Sequence, residues 1–136
     1  MPHTADRTLL EAAANVLRHA YAPYSRYRVG AALRLDTGAM IVGCNVENAS
    51  LGLTVCAERN AVAAALAQGS RKFSALAIVA DGDSLPSPCG ACRQVLAEFC
   101  PSDFPIHVAC AADLTTVRIC RLGDLLPLAF AGKDFA

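Results

Sequence analysis

An excess of charge of either sign is missing from this sequence: Lys and Arg together number 12, Asp and Glu together number 12, and the formal net charge is zero. Holding a phosphate backbone takes a basic surplus, so nucleic acid is set aside as a partner. Long hydrophobic runs are missing too. The longest apolar stretches, such as Ala61 to Ala67 and Ala75 to Ala80, fall far short of the roughly 18 residues a membrane-spanning helix needs, so no membrane partner is expected. Met1 to Arg7 is polar and lacks the basic-then-apolar order of a secretory signal, which makes the cytoplasm the expected compartment. Internal repeats, linkers and low-complexity segments are also lacking, so residues 1–136 are expected to form a single domain, long enough to bury a core without disulfide staples. Charge is scarce overall: 18% of residues are charged and 54% hydrophobic, against roughly 25% charged in an average soluble domain. Some of that apolar surface is expected to lie between subunits.

Cysteine, by contrast, is plentiful. Seven of them, an odd number, in a chain without an export signal argue against a disulfide framework and for free thiols or thiolate ligands. Their meaning depends on where the chain places them. Leu10, Ala13, Leu17 and Tyr21 recur at helical spacing, and Thr8 with Glu11 suits a capping box, which predicts an amphipathic first helix ending before Pro23. Val29 to Leu35 and Met40 to Cys44 read as two strands of a hairpin turning at Asp36-Thr37-Gly38. Ala57 to Ala67 reads as an alanine-rich helix stopped by Gly69, whose small side chains let it lie close to a sheet. Ala75 to Ala80 reads as a buried strand, Gly90 to Phe99 as a short helix, and Ile106 to Cys110 and Thr116 to Cys120 as the last strands. Leu122 to Leu126 forms a terminal helical turn stopped by Pro127. Helices separated by buried strands predict an α/β layered domain around a mixed sheet of five strands.

Two of the predicted helices start on cysteine. Cys56-Ala57-Glu58 opens one and Pro88-Cys89-Gly90-Ala91-Cys92 opens the other. Cys89 and Cys92 are three residues apart, which puts both sulfurs on one side of a first helical turn, and Pro88 suits a helix start. Helix N-termini stabilise thiolates through their free N–H groups and dipole. Three thiolates leave the fourth tetrahedral position of Zn²⁺ open to water, as catalytic zinc requires, and zinc lowers the pKa of bound water toward about 7. Glu58, two residues from one ligand, is placed to move protons. Taken alone, Cys89 and Cys92 favour a closed zinc knuckle or two buried thiols over a catalytic site; Cys56 and Glu58 turn the reading toward catalysis, because no fourth Cys or His has a spacing that closes the site and Glu58 has no role in a structural knuckle. The pattern matches the three-cysteine variant of the zinc deaminase signature.

The stretches Tyr21-Ala22-Pro23-Tyr24-Ser25, Val29-Gly30-Ala31-Ala32-Leu33, Gly43-Cys44-Asn45-Val46-Glu47-Asn48-Ala49-Ser50, Cys56-Ala57-Glu58-Arg59, Ser87-Pro88-Cys89-Gly90-Ala91-Cys92-Arg93-Gln94, and Leu125-Leu126-Pro127 with Phe130 resemble the small homotetrameric cytidine deaminases. The resemblance runs from about residue 21 to 130. It implies a three-layer α/β/α fold, one zinc per subunit held by Cys56, Cys89 and Cys92, and active sites shared between the subunits of a homotetramer. By position it implies that Asn45 and Glu47 bind the ribose hydroxyls, that the Ala57 carbonyl receives the base's amino group, and that Arg59 hydrogen-bonds the thiolates, with Gln94 a weaker partner of the same kind. Phe130 would reach a neighbouring subunit's pyrimidine pocket. Read without the resemblance, Asn45 to Asn48 is a polar loop and Arg59 an exposed helix arginine. Two positions depart from the family pattern: Tyr27 stands where a Phe commonly contacts the pyrimidine, and Leu51 replaces an aromatic residue.

The implied activity is hydrolytic deamination of cytidine and deoxycytidine in pyrimidine salvage. Alternatives are a deaminase of a modified cytosine nucleoside such as blasticidin, a polynucleotide editor, which the absent basic surplus disfavours, and a non-enzymatic zinc or thiol module. Cys44, Cys100, Cys110 and Cys120 are expected to act as small buried hydrophobes. His3, His19 and His107 are expected at the surface or in packing, and Tyr21 and Tyr24 in packing.

Overall fold

A computed structural model describes residues 4–135, so His3 lies outside the described residues. Five strands, β1 (Val29–Leu35), β2 (Met40–Cys44), β3 (Phe73–Ala80), β4 (Pro105–Cys110) and β5 (Asp113–Arg121), form one sheet in the order β2-β1-β3-β4-β5. β3 and β4 run parallel and the other neighbours antiparallel, giving the expected mixed sheet. The parallel pair needs a crossover, which the helix α3 (Gly90–Phe99) supplies.

Side chains alternate across the sheet, as the strand period of two requires. Ala32, Ala75, Ala77 and Val79 face α1 (Arg7–Leu17), which buries Leu9, Leu10, Ala13 and Leu17 against them. Ala31, Leu33, Leu76, Ile78, Ile106 and Val108 face the opposite layer, built from α2 (Ala57–Ala67) and α3. The result is three layers, α/β/α. Small residues set the layer spacing. A methyl group built on Gly30 of β1 would lie 2.0 Å from the carbonyl oxygen of Ala13 in α1. One built on Gly43 of β2 would lie 2.5 Å from the backbone nitrogen of Ala61 in α2. The fully buried Ala57, Ala61 and Ala65 complete that close contact, as the alanine-rich pattern predicted.

Beyond shifts of one or two residues at the ends of β3, β4, β5 and α4, the following features differ from expectation. The first helix is capped by Asp6, whose carboxylate accepts from the Leu9 N–H at 3.1 Å, so Thr8 sits inside the helix and forms no capping box with Glu11. Asp6 is held in that role by Arg34, 2.8 Å away on β1, a contact no local pattern reveals. The helix stops at Leu17, and Tyr21 instead joins Val46 in a short bridge, with its N–H donating to the Asn45 carbonyl and its own carbonyl accepting from Glu47. β5 also starts earlier than Thr116, because Asp113 pairs with Cys110 across a tight turn. A short helix, α4 (Leu122–Leu125), follows β5, and single 3₁₀ turns occur at Leu51–Leu53 and Gly132–Phe135.

Candidate zinc and active site

α2 and α3 begin at the same end of their layer, with Cys56 and Cys89 as their N-caps. Neither sulfur caps its own helix, which leaves both free to meet. Cys56 Sγ lies 3.7 Å from Cys89 Sγ, Cys89 Sγ lies 3.4 Å from Cys92 Sγ, and all three fall within 4.8 Å of one another. Tetrahedral zinc with Zn–S bonds of about 2.3 Å sets its sulfurs about 3.8 Å apart, so the donor set fits the ion. Cys92 is fully buried and Cys89 exposed, so the cluster has an open side.

The thiols polarise one another. Hydrogen bonding from Cys92, supported by Arg59 and Cys89, pulls Cys56 down to about 5, whereas the bond to Cys56, burial and the Glu58 charge push Cys92 up. A divalent cation held by the three sulfurs would favour their ionised forms. Arg59 points one guanidinium nitrogen at Cys56 Sγ, 3.7 Å away, and at the Thr54 carbonyl, 3.4 Å away. Three thiolates with Zn²⁺ leave one negative charge, and Arg59 is the cation beside it.

Glu58 sits in the first turn of α2 and is almost fully buried. Burial, followed by the nearby Cys56 thiolate, raises its carboxyl pKa above the ordinary value. A carboxyl tuned upward beside a metal-competent cluster is suited to exchanging protons near neutral pH. It opens onto a cleft of about 240 Å³ lined also by Cys56, Cys89, Ala57, Asn45, Glu47 and Tyr27. That volume lies just under the roughly 300–1,000 Å³ of pockets for drug-sized ligands, a scale that suits a nucleoside.

Asn45 and Glu47 reach the cleft while also fastening its wall. The Asn45 side chain accepts from Val29 N–H at 2.9 Å and donates to the Tyr27 carbonyl at 2.9 Å. Glu47 accepts from Tyr24 N–H, Ser25 N–H and the Ser25 hydroxyl, the last of which leads the lowering of its pKa. These bonds hold the 24–27 loop, including Arg26 in a left-handed conformation at φ 58°, and so present Tyr27 to the cleft. Burial, then the charges of Cys110, Asp81 and Glu58, raises the Tyr27 pKa and keeps the phenol protonated.

Residues 3–108 match the family model described as the cytidine and deoxycytidylate deaminase zinc-binding region. The chain is 45% identical over 127 residues to a cytidine deaminase of Halalkalibacterium halodurans, covering 93% of this chain and 94% of the relative. It belongs to the cytidine deaminase family. A cytidine deaminase of Mycobacterium tuberculosis is 49% identical over 115 residues, 85% of this chain and 81% of its own. The crystal structure of a cytidine deaminase from Burkholderia pseudomallei superposes with a TM-score of 0.87 at 45% identity, covering 93% of this chain and all of that one. As a member of the cytidine deaminases, the chain is a zinc-dependent hydrolase, and Cys56, Cys89 and Cys92 form its zinc-binding triad.

Other site expectations meet the structure differently. The Gln94 amide nitrogen donates to the Phe130 carbonyl at 3.0 Å, on the C-terminal segment. Phe130 is half-exposed, lies edge-on to Phe135 at 5.5 Å, and stays outside its own chain's cleft. Tyr21 and Tyr24 contribute backbone bonds but are each 54% exposed, so they pack little within the chain. His19 is exposed, and His107 is buried with its Nδ1 accepting from Asp6 N–H. Cys44, Cys100, Cys110 and Cys120 belong to no metal-competent cluster among the described residues, and burial pushes the Cys100 thiol up to about 12. Ser25, Val29, Thr54, Ile78, Pro86 and Ser87 also line the cleft, and none of them is given a role by the sequence, although Ser25, Val29 and Ser87 lie in the stretches quoted above. No helix among the described residues is long and apolar enough to cross a membrane.

Proposed function

We propose that this deaminase acts on both cytidine and deoxycytidine, forming uridine and deoxyuridine with release of ammonia, as a step of pyrimidine salvage in the cytoplasm. The observation that carries the assignment of roles is that Glu58, buried and proton-retentive, opens onto the same cleft as Cys56, Cys89, Asn45 and Glu47.

When bound by the three cysteines, zinc lowers the pKa of a water toward about 7. Glu58 takes a proton from the attacking water as its oxygen bonds to C4, and delivers that proton to N3 of the base. Glu58 then takes the proton of the new C4 hydroxyl and delivers it to the amino group; the C4–N bond breaks as the C4 carbonyl forms, and ammonia leaves. The Ala57 carbonyl accepts an N–H of the amino group, Asn45 and Glu47 take the ribose hydroxyls, and Tyr27 presents its ring to the pyrimidine. Arg59 offsets the negative charge of the thiolates. Leu51, Leu128, Phe130 and Phe135 expose large apolar surfaces, which supports a homotetramer in which Phe130 walls a neighbour's cleft.

The test is ammonia release and the ultraviolet change on adding cytidine or deoxycytidine, with zinc measured in the same samples. Glu58→Gln should keep one zinc per chain and lose at least about 10² to 10⁴-fold in turnover, as removal of a general acid-base group does. Cys89→Ala should lose metal and turnover together. Near-normal turnover in Glu58→Gln, or full zinc in Cys89→Ala, would remove that residue from its role. Turnover of a modified cytosine nucleoside in preference to both substrates would favour the blasticidin-type alternative.

A further inference from the structure

Beside the zinc ligands, α3 carries an arginine whose three bonds all end on oxygen. Arg93 Nε donates to the Pro88 carbonyl at 2.7 Å, one terminal nitrogen donates to the Ser87 hydroxyl at 2.9 Å, and the other donates to the Leu125 carbonyl at 2.8 Å. The first two contacts lie on the segment that leads into Cys89, where Ser87 lines the cleft. The third lies 32 residues away, on the last residue of α4. Gln94, the next residue on α3, holds the Phe130 carbonyl. Adjacent side chains of α3 thus hold both ends of the segment from Leu125 to Phe130.

We propose that Arg93 is a positioning residue that locks the cleft rim at Ser87 and Pro88 and the C-terminal segment into one unit, and thereby sets the rim for substrate. This rests on the reaction proposed above. The guanidinium is suited to the task because its planar fork offers five N–H groups in fixed directions, so one side chain can set the relative place of two segments. It also settles the Ser87 hydroxyl. Accepting from Arg93 leaves that hydroxyl's own proton available to donate to a molecule in the cleft. Arg59 serves the sulfurs and Arg93 the rim, so the two arginines that follow zinc ligands divide the work between metal and wall.

Arg93→Lys keeps the charge but, as a compact point charge, meets fewer of the three oxygens. Amide hydrogen exchange should then rise together at Ser87 and Cys89 and across residues 122–131. Zinc should stay at one per chain. KM for cytidine should rise by about tenfold with kcat changed far less, the pattern of lost uniform binding. Arg93→Ala should exaggerate both effects, and Ser87→Ala should raise KM while leaving exchange at 122–131 as in the wild type. The proposal is overturned if exchange rises in only one of the two segments, if Arg93→Lys loses zinc, or if it lowers unfolding stability with KM unchanged, which would make Arg93 an ordinary strut. A wild-type chain that turned over no cytidine would overturn the proposed reaction instead, and the exchange measurement would still decide whether Arg93 couples the two segments.

Discussion

Replacing Gly43 by alanine tests the layer spacing and the active site at once. The added methyl would lie 2.5 Å from the Ala61 nitrogen and 2.7 Å from the Ala57 carbonyl oxygen. Both are backbone atoms, so no side chain can swing aside, and α2 must move away from β2. Restoring ordinary contact takes a retreat of about 1 Å, and a shift of that size at a catalytic group can reduce rate about 10²-fold. α2 delivers Cys56, Ala57 and Glu58 to the cleft, so its displacement acts directly on the chemistry. Overpacking costs about 1–3 kcal/mol, whereas the alanine's reduced freedom in the unfolded chain returns only about 0.4–1 kcal/mol. Net destabilisation should therefore appear. Gly30→Ala is the matched control: its methyl would meet the Ala13 carbonyl oxygen at 2.0 Å, on the opposite face of the sheet. It should destabilise at least as much but displace α1, which carries no site residue. Urea unfolding with kcat measured per zinc-loaded chain separates the two. If Gly43→Ala unfolds like the wild type, or if Gly30→Ala lowers kcat as much as Gly43→Ala does, the reasoning fails.

Three further outcomes are expected. Asp6→Asn preserves a good helix cap but removes the ion pair with Arg34, whose hydrogen bond is the main cause of the lowered Asp6 pKa. A depressed carboxylate pKa stabilises the fold above the unfolded value of about 3.9, so the variant should be less stable at neutral pH and the gap should close as pH falls below that value; a gap independent of pH would refute the assignment. Asn45→Ala leaves the Val29 N–H and the Tyr27 carbonyl without their partner, so it should lose roughly 1–3 kcal/mol of stability in addition to raising KM; unchanged thermal unfolding would confine Asn45 to ribose binding. Co-refolding Glu58→Gln chains with Phe130→Ala chains should give mixed oligomers more active than either parent, and hybrids shown to form but never exceeding the weighted average would return Phe130 to an ordinary packing role.

What the sequence made legible was local. β1, β2, α2 and α3 have the boundaries expected from apolar periodicity and the flanking Gly and Pro residues, because those elements bury regular faces. The zinc ligands were legible for a related reason: two short motifs at helix starts state their own geometry. Features that depend on residues far apart were not. The Asp6 cap owes its strength to Arg34, 28 residues on, and the Arg93 contact with Leu125 spans 32. Gln94 shares its stretch with the zinc ligands Cys89 and Cys92, yet its side chain faces the C-terminal segment, a choice that only the packing of that segment decides. Asn45 and Glu47 were found by resemblance, but their bonds to the 24–29 backbone follow from the fold of that loop.

The two sources of sulfur have a mechanical consequence. Cys56 and Cys89 stand 33 residues apart, and the chain between them contains all of α2 and β3. An ion bonded to both acts as a removable cross-link, closing a loop whose entropy in the unfolded chain would fall by an amount equivalent to about 4 kcal/mol if the link behaved as a disulfide does. At the far end of α3, Phe99 lies against Phe73 with ring centres 6.0 Å apart. Metal depletion would therefore loosen the helical layer from one end, like a clasp released opposite a hinge.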